Sequence, residues 1–153
     1  MSSTRVFADL DEFAGAVGES LGTGQWHTIT QEQVNLFADA TGDHQWIHVD
    51  TEKAAKGPFG TTIAHGYLTL SLIPKLGADI YRVEGLRMGI NYGLNKVRFP
   101  QPVTVGSRIR ASAELVSVTD TPNGKQAVVR WTIEIEGAEK PACVAETVAL
   151  LVP

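Results

Sequence analysis

Apolar residues along this chain follow a helical spacing in the first half and a strand-like alternation in the second half. Up to residue 80 they recur three or four positions apart, which predicts helices over residues 9–17, 31–40, 51–56 and 62–80. Residues 25–29 interrupt this pattern as a brief strand. The last helix is the longest and the most apolar, and Pro74 is expected to bend it or to disturb its hydrogen bonds.

After residue 86, four segments rich in β-branched and aromatic residues predict antiparallel strands over residues 89–99, 108–118, 126–136 and 143–152. The turn-forming sequence Pro122-Asn123-Gly124 separates two of them. In the third segment, Trp131 and Ile133 belong to an apolar series that alternates with polar residues, so one face of the sheet is expected to be buried. Helices followed by strands, around one long apolar helix, predict a single α+β domain over residues 1–153, with helices packed on one antiparallel sheet.

The helix over residues 31–40 carries recognisable signals at both ends. Thr30 and Gln33 have the form of a capping box, in which the threonine hydroxyl accepts a hydrogen bond from the first turn and the glutamine reaches back. Gly42 is expected to end the helix in the left-handed conformation that favours glycine. The polar loop that follows, over residues 43–50, is therefore held at one end by a well-defined helix.

The loop over residues 43–50 contains the densest group of reactive side chains, with Asp43 and His48 five positions apart. A histidine near neutral pH can accept and donate a proton, and a neighbouring carboxylate can orient it or hold one water together with it. From the residues alone, Asp43 could equally brace a turn, and His48 could be a satisfied structural histidine. A metal site built from His44, His48 and Asp50 would use legitimate ligand types, but their spacing matches no metal motif, so no metal is expected.

A second cluster of interest, over residues 59–67, lies at the start of the long apolar helix. Backbone N–H groups without helical partners gather at such a start, and they can stabilise an oxygen atom that becomes negative during a reaction. Gly66 has no side chain, so a ligand could approach its amide closely.

Composition and charge limit the classes of function. The chain has 153 residues, of which 43% are hydrophobic and 20% are charged, as in ordinary soluble globular proteins. A net charge of −4 and a pI near 5.5 argue against non-specific binding to nucleic acid or to an anionic membrane. No segment reaches the roughly 18 uninterrupted apolar residues of a membrane span, and acidic residues stand where a signal peptide would be apolar, so a cytoplasmic location is expected. Cys143, the only cysteine, excludes an intramolecular disulfide and is expected in the core.

These motifs, in their order along the chain, resemble the MaoC-like (R)-specific enoyl-CoA hydratases, which share the hot-dog fold. The hydratase signature has an aromatic residue near Ser/Thr-Gly-Asp, then Asn-Pro, a branched apolar residue, His, and a small residue six positions later. This chain supplies Phe37, Thr41-Gly42-Asp43, Ile47-His48 and Ala54 at those places. The segments Phe59-Gly60 and Ile63-Ala64-His65-Gly66 are similar to the family's helix entrance, and the matched motifs run from about Thr30 to Pro102.

One position departs from the signature, because Gln45-Trp46 stands where the family usually has Asn-Pro. The acid and the base are kept, but the loop loses the fixed backbone angle of proline and gains a bulky indole. In this respect the chain resembles a subgroup of small stand-alone members that includes nodulation protein N-like proteins. Because of this departure, the acyl-chain preference of the family is a weaker guide to this chain than the reaction that the family catalyses.

The resemblance implies a hot-dog fold, an antiparallel sheet wrapped around a long central helix, and the reversible hydration of a trans-2-enoyl-CoA to an (R)-3-hydroxyacyl-CoA. It also implies that His48 activates the water, that Asp43 returns a proton to Cα, and that the Gly66 amide binds the thioester oxygen. Coenzyme A is then part of the substrate, no other cofactor is expected, and a homodimer is implied.

Further residues are expected to contact the substrate. Those expected near the acyl chain and the helix entrance are Trp46, Phe59, Ile63, Ala64, His65 and Tyr67. Lys96 and Arg98 form a positively charged patch on an acidic protein and could bind the phosphates of coenzyme A. Asn95 could contact the pantetheine amides. The alternative is that all three are ordinary solvated residues of a strand. Two alternatives stay open: a hot-dog thioesterase, whose carboxylate would activate water against the thioester carbonyl, and a non-catalytic acyl-CoA binding or signalling protein.

Overall fold

The computed structural model describes residues 3–153, which form eight strands and six helices around one hydrophobic core. The helices are α1 (Leu10–Ala14), α2 (Gln31–Thr41), α3 (Trp46–Val49), α4 (Thr51–Ala55), α5 (Gly66–Ser71) and α6 (Ile73–Gly77). The strands are β1 (Arg5–Phe7), β2 (Ser20–Thr23), β3 (His27–Thr28), β4 (Tyr81–Val83), β5 (Met88–Arg98), β6 (Arg108–Thr121), β7 (Gly124–Ile135) and β8 (Cys143–Val152). Across residues 3–153, no helix is both long enough and apolar enough to cross a membrane.

The main sheet has six strands, and every pairing in it is antiparallel. The strand order is β2-β6-β7-β8-β5, with β3 also paired to β6. The four strands predicted from alternation are confirmed as β5 to β8, with bounds that differ by no more than three residues. The hairpin between β6 and β7 turns at Pro122 and Asn123, as the turn-forming residues indicated.

The inner face of this sheet packs against the two central helices, α5 and α6. Alternate residues of β7, among them Trp131 and Ile133, are buried on this face, and α6 contributes Ile73 and Leu76 to the same cluster. At Gly77 the helix comes so close to the sheet that an added Cβ would stand 2.5 Å from the Trp131 ring. Glycine at this position therefore permits the close approach of helix and sheet.

The central helix is interrupted and begins later than predicted. In place of one helix over residues 62–80, α5 begins at Gly66 and α6 begins at Ile73. Pro74 lies in the first turn of α6, where its missing N–H removes no intrahelical hydrogen bond. The expected disturbance at Pro74 is therefore confirmed as an interruption between two helices, whereas the expectation of a single helix over residues 62–80 is wrong.

The residues just before α5 are extended, although they were predicted as helix. Ile63 forms an isolated antiparallel bridge with Thr104, and the Ala64 amide donates to the Val103 carbonyl over 2.8 Å. These contacts to the segment before β6 satisfy the backbone in an extended form, so helical periodicity overstated the length of the helix.

The hydrophobic pattern does not predict three further strands and one helix. β1 and β4 form a two-stranded parallel pair, β2 lies at the edge beside β6, and α3 lies in the loop over residues 43–50. The first helix ends at Ala14, three residues earlier than predicted, and the strand over residues 25–29 is reduced to β3.

Strand β5 forms one edge of the main sheet and is exposed along its length. Within residues 3–153 it pairs only with β8, and of its eleven residues only Val97 is partly buried. Met88, Ile90, Tyr92 and Leu94 are 43–68% exposed. A long, apolar edge of this kind is unusual on a surface that faces water.

Candidate functional site

Helix α2 places Asp43 directly beyond its C-terminal end. The Thr30 hydroxyl accepts from the Gln33 amide over 3.2 Å, and Gly42 ends the helix in the left-handed conformation with φ of 80°, so both predicted caps are confirmed. The second half of the predicted capping box, in which the Gln33 side chain returns to the start of the helix, is not formed, because Gln33 Oε1 pairs with His27 Nε2 at 3.1 Å. Asp43 is exposed and begins the loop that leads to α3.

His48 lies in α3 and is buried, with 7% of its surface exposed. Its Nδ1 lies 2.7 Å from the Ile63 carbonyl oxygen, which can only accept, so Nδ1 carries the proton and Nε2 is left as a free acceptor. Burial lowers the pKa of His48 below its ordinary value of 6.5, and the His65 ring lowers it further; the hydrogen bond to Ile63 and the Asp43 carboxylate oppose this shift. His48 is therefore held neutral near pH 7, as a proton acceptor must be.

The Asp43 carboxylate and the His48 ring lie close enough for one water molecule to form hydrogen bonds with both. A carboxylate oxygen of Asp43 and a ring nitrogen of His48 lie within 4.8 Å of each other. Two hydrogen bonds of about 2.8 Å that meet at one water oxygen with a near-tetrahedral angle span roughly 4.6 Å. The pair can therefore hold one water that donates a proton toward each of them.

Gln31, the first residue of α2, ties the segments of the site together and was not singled out from the sequence. Its Nε2 donates to the His48 carbonyl over 2.7 Å, and its Oε1 accepts from the Thr62 hydroxyl over 2.5 Å. Thr62 is only 2% exposed, so this contact is buried. A glutamine in the first turn of a helix looks like a surface residue by sequence, and only the fold brings it against residues 17 and 31 positions away.

A cavity of about 250 Å³ lies beside His48. Its lining includes four residues that the sequence predicted for the site, namely His48, Ile63, Ala64 and Gly66. Six further lining residues were not predicted: Thr69, Phe99, Gln101, Pro102, Val103 and Ala142. Two prolines flank Gln101 between β5 and β6, and this pair is the sequence signal of a rigid loop that could have indicated this wall.

Gly66 presents its backbone N–H at the start of α5, beside the cavity. The first residue of a helix has no intrahelical acceptor for its N–H, and no other group of residues 3–153 accepts from Gly66. The Phe99 ring covers its Cα, since an added Cβ would stand 3.3 Å from three atoms of that ring. A free donor and an aromatic wall therefore meet at the edge of the cavity.

Trp46, Phe59 and Tyr67 were predicted as substrate contacts but lie outside the part of the described chain that lines the cavity. The Trp46 indole packs on Gly57, and the Lys53 ammonium stands 4.6 Å from the centre of its ring. Phe59 and Tyr67 are 41% and 71% exposed. Contacts of these three side chains with a substrate stay predictions, and they would require a substrate that extends beyond the cavity.

His65, also predicted as a substrate contact, is buried against the two proposed catalytic groups. It is 3% exposed, and its ring stacks on His48 with ring centres 3.8 Å apart and planes inclined by 21°. Its Nε2 lies 3.0 Å from the Asp43 carbonyl oxygen. The side chain thus touches Asp43 and His48, and it is not part of the cavity lining found within residues 3–153.

Asn95, Lys96 and Arg98 lie on the exposed edge strand β5, outside the cavity lining of the described chain. Neither cation forms an ion pair with an acidic residue of the range 3–153. Arg98 directly precedes Phe99, which lines the cavity. Two unneutralised positive charges therefore stand close to one cavity wall.

Asp43, His48 and His65 are the group of potential metal ligands found within residues 3–153. Each histidine already uses one ring nitrogen on a carbonyl oxygen. Because the two rings are stacked at 21°, their remaining lone pairs lie in nearly parallel planes and do not converge on one ion. His44 and Asp50 are engaged elsewhere, the first with a surface carboxylate and the second as the cap of α4. The arrangement suits a bound water better than a metal ion.

Cys143 offers no alternative nucleophile at this site. It is fully buried at the start of β8, as the sequence predicted. Burial raises the pKa of its thiol to about 11, so the thiol stays protonated near neutral pH and is not reactive.

Comparison with protein families matches residues 12–137 to the family described as MaoC like domain. The 3-hydroxyacyl-thioester dehydratase Z of Mycobacterium tuberculosis (strain ATCC 25618 / H37Rv) is 62% identical over 145 residues, covering 94% of this chain and 96% of that protein. Nodulation protein N of Rhizobium leguminosarum bv. viciae is 41% identical over 146 residues, covering 93% and 90%. Among solved structures, the (R)-hydratase from A. caviae involved in PHA biosynthesis superposes with a TM-score of 0.71 at 26% identity, covering 90% of this chain and 96% of that chain.

Proposed function

This chain belongs to the MaoC-like dehydratase family, and we propose that it is an (R)-specific enoyl-CoA hydratase. It has the hot-dog fold of the family and is an enzyme of the hydro-lyase class. The reaction would be the reversible addition of water to a trans-2-enoyl-CoA, which gives an (R)-3-hydroxyacyl-CoA. The observation that carries this proposal is the approach of the Asp43 carboxylate and the neutral His48 ring to within 4.8 Å, beside a cavity that Gly66 helps to line.

A water molecule held by Asp43 and His48 is the nucleophile of the proposed reaction. It donates one O–H to the free Nε2 of His48 and the other to the carboxylate. As its oxygen attacks Cβ of the enoyl thioester, His48 takes the proton donated to its Nε2, and the other proton of the water stays on the new hydroxyl group. The proton on His48 then passes to the Asp43 carboxylate, which delivers it to Cα. The pair ends with the protons that it began with, so its two members act as one unit.

The Gly66 N–H is proposed to accept the charge that attack at Cβ sends onto the thioester oxygen. An oxygen that becomes negative is stabilised most by a donor that is already in place and has no competing partner, which is the situation of this amide. The walls formed by Ile63 and Val103 are apolar, so few polar groups of the protein compete for this donor.

Coenzyme A is proposed to reach the site along β5. Lys96 and Arg98 would meet its phosphates, because both are exposed cations without an acidic partner in the described range, and Asn95 would contact the pantetheine amides. A homodimer belongs to the same proposal, since pairing of β5 with its copy would satisfy the free edge and cover the exposed side of Phe99. The cytoplasmic location and the single domain stay predictions.

The proposal is tested by hydration of crotonyl-CoA, followed as loss of enoyl absorbance, with chiral analysis of the 3-hydroxy product. Asp43→Asn and His48→Gln are each expected to lower kcat by at least about 10²-fold, because general acid–base help is typically worth ~10²–10⁴-fold. Circular dichroism of both variants should match that of the wild type, because Asp43 is exposed and the glutamine amide offers an N–H for the Ile63 carbonyl in place of His48 Nδ1.

The pair Asp39 and His44 supplies a matched control. Both are exposed, lie close to the site in sequence and are joined by a hydrogen bond of 2.9 Å between His44 Nε2 and Asp39 Oδ1, so Asp39→Asn and His44→Gln should retain wild-type turnover. Unchanged turnover in Asp43→Asn or His48→Gln would remove that residue from the mechanism. Release of free thiol from crotonyl-CoA without formation of a 3-hydroxyacyl product would identify a thioesterase, and binding without turnover would identify a carrier of acyl-CoA.

A further inference from the structure

His65 contacts both members of the proposed catalytic pair from the side away from solvent. It immediately precedes Gly66 and is 3% exposed. Building on the function proposed above, we propose that His65 is a positioning residue, which fixes the main chain of Asp43 and the ring of His48 relative to the Gly66 amide.

The first contact holds the main chain of Asp43. His65 Nε2 lies 3.0 Å from the Asp43 carbonyl oxygen, and because a carbonyl only accepts, Nε2 carries the proton and donates. The carboxylate of Asp43 has one weaker contact, a 3.3 Å hydrogen bond from the Gln45 amide two residues away. The bond from His65 comes from 22 positions away, and it holds the Asp43 end of the loop against the start of α5, as the bonds of Ile63 to Ile47 and His48 hold the other end.

The second contact holds the ring of His48. The two imidazoles are stacked with centres 3.8 Å apart, and Phe37 packs against the His65 ring at 4.9 Å. His65 is therefore restrained between Phe37 and His48 and cannot turn without moving the proposed base. The titratable groups that act on His48 are Asp43, which raises its pKa, and His65, which lowers it.

The third observation is the unpaired nitrogen of His65. With the proton on Nε2, Nδ1 is a bare acceptor, and it is buried without a hydrogen-bond partner in residues 3–153. An apolar ring would fill the same space without that cost, so packing alone does not account for a histidine here. The Nε2–H that reaches Asp43 is the part of the side chain that an apolar ring would lack.

Two substitutions separate the ring from the donor. His65→Phe keeps an aromatic ring between Phe37 and His48 but removes the N–H, and it should lower kcat for crotonyl-CoA by about 10²-fold, the effect of a displacement of about 1 Å at a reacting centre. KM should stay close to that of the wild type, because His65 is outside the cavity lining. His65→Gln offers an amide donor for the Asp43 carbonyl and should recover part of the lost kcat. Phe13→Leu is the control for a general loss of stability. Phe13 is a fully buried residue of α1, so this variant should be less stable than the wild type but should keep its kcat.

The protonation of His65 can also be measured directly in the wild-type protein, so this test does not depend on whether a variant folds. Nitrogen-15 spectra of labelled histidine should show the His65 proton on Nε2 and none on Nδ1, and a proton on Nδ1 would overturn the proposal. So would a wild-type kcat in His65→Phe, or a kcat of His65→Gln no higher than that of His65→Phe. A wild-type enzyme that does not hydrate crotonyl-CoA would instead refute the proposed function, so the two failures are distinguishable.

Discussion

At the scale of single residues, the chemistry of the site depends on which ring nitrogen of each histidine carries the proton. His48 and His65 each donate to a carbonyl oxygen, of Ile63 and Asp43 respectively. Each neutral ring is therefore left with one bare nitrogen, and in His48 this nitrogen is the proposed proton acceptor. The activity should consequently follow the protonation state of His48.

The pH dependence of kcat/KM tests this assignment. Burial, which is the largest cause, lowers the pKa of His48, and the acceptor is active only when unprotonated, so activity should persist below pH 6.5 and be lost as the pH falls through the lowered pKa. The measurement is the acidic limb of kcat/KM for crotonyl-CoA, in wild type and in His44→Gln, whose exposed ring should leave the limb unchanged. A midpoint at or above 6.5 would contradict the lowered pKa.

Substitution of Gly66 tests the proposed oxyanion donor. His65 has φ of −61° and ψ of 138°, a conformation that tolerates a following proline, and proline is acceptable at the first position of a helix. Gly66→Pro should therefore fold while losing the N–H, and its kcat should fall ~10²–10³-fold.

Gly66→Ala is the matched steric control, because it adds a Cβ at 3.3 Å from the Phe99 ring but keeps the N–H. It should lose less activity than Gly66→Pro, since Phe99 is 40% exposed and can move outward. Equal kcat values in the two variants would show that crowding, and not the donor, causes the loss.

Residue types and spacing indicated Asp43, His48 and Gly66 as candidates, but they left structural roles open for Asp43 and His48, and the family resemblance was what favoured catalysis. Residue types and spacing did not indicate Gln31 or Phe99. Gln31 reaches the His48 carbonyl only through the packing of α2 on α3. Phe99 reaches Gly66 only because β5 ends beside α5, and no local pattern encodes that approach.

At the scale of elements, local signals were reliable where a cap or an alternation defined them. Helix α2 begins after Thr30 and ends at Gly42 as predicted, and strands β5 to β8 lie where the pattern of apolar and polar residues predicted them. The three-residue strands β1 and β4 are too short to show a period, and they pair across a long stretch of chain. The start of the central helix was misplaced because residues 62–64 are apolar or β-branched and fit either conformation.

The contact between α6 and the sheet predicts the effect of enlarging Gly77. An alanine Cβ would stand 2.5 Å from the ring of Trp131, which is 5% exposed and donates to the Thr147 hydroxyl over 2.9 Å. The ring cannot move freely, so Gly77→Ala should lower the free energy of unfolding by about 1–3 kcal/mol, the usual effect of overpacking. Urea denaturation gives this value from the shift in midpoint at constant slope.

A double-mutant cycle ties that loss to the one contact. In a Trp131→Phe background the smaller ring leaves room for the added methyl group, and the cost of Gly77→Ala should shrink. The same cost in both backgrounds would mean that the destabilisation arises elsewhere in α6.

At the scale of the whole molecule, the exposed edge β5 predicts self-association. Replacing Ile90 and Tyr92 together by Lys places two charges among the exposed apolar residues in the first half of β5, and the double variant should be monomeric at a concentration at which the wild type is dimeric. Multi-angle light scattering measures the mass. Loss of the dimer should also lower kcat/KM for crotonyl-CoA, because the cavity wall at Phe99 becomes uncovered.

Val17→Lys is the control for that experiment, since Val17 is 45% exposed and lies outside β5. It should leave both mass and activity unchanged. A wild-type protein that is monomeric and fully active at assay concentration would contradict the dimer and would leave the apolar edge without this explanation.

The packing of Trp46 gives the site a built-in optical reporter. Its indole lies against Gly57 and below the Lys53 ammonium, three residues after Asp43 and two before His48. Indole emission responds in colour and intensity to nearby charge and to water, so any movement of the loop that changes the Lys53 contact alters the fluorescence of Trp46. Where relatives with the Asn-Pro signature have a proline that is optically silent, this chain has a fluorophore fixed to the segment that carries both proposed catalytic groups.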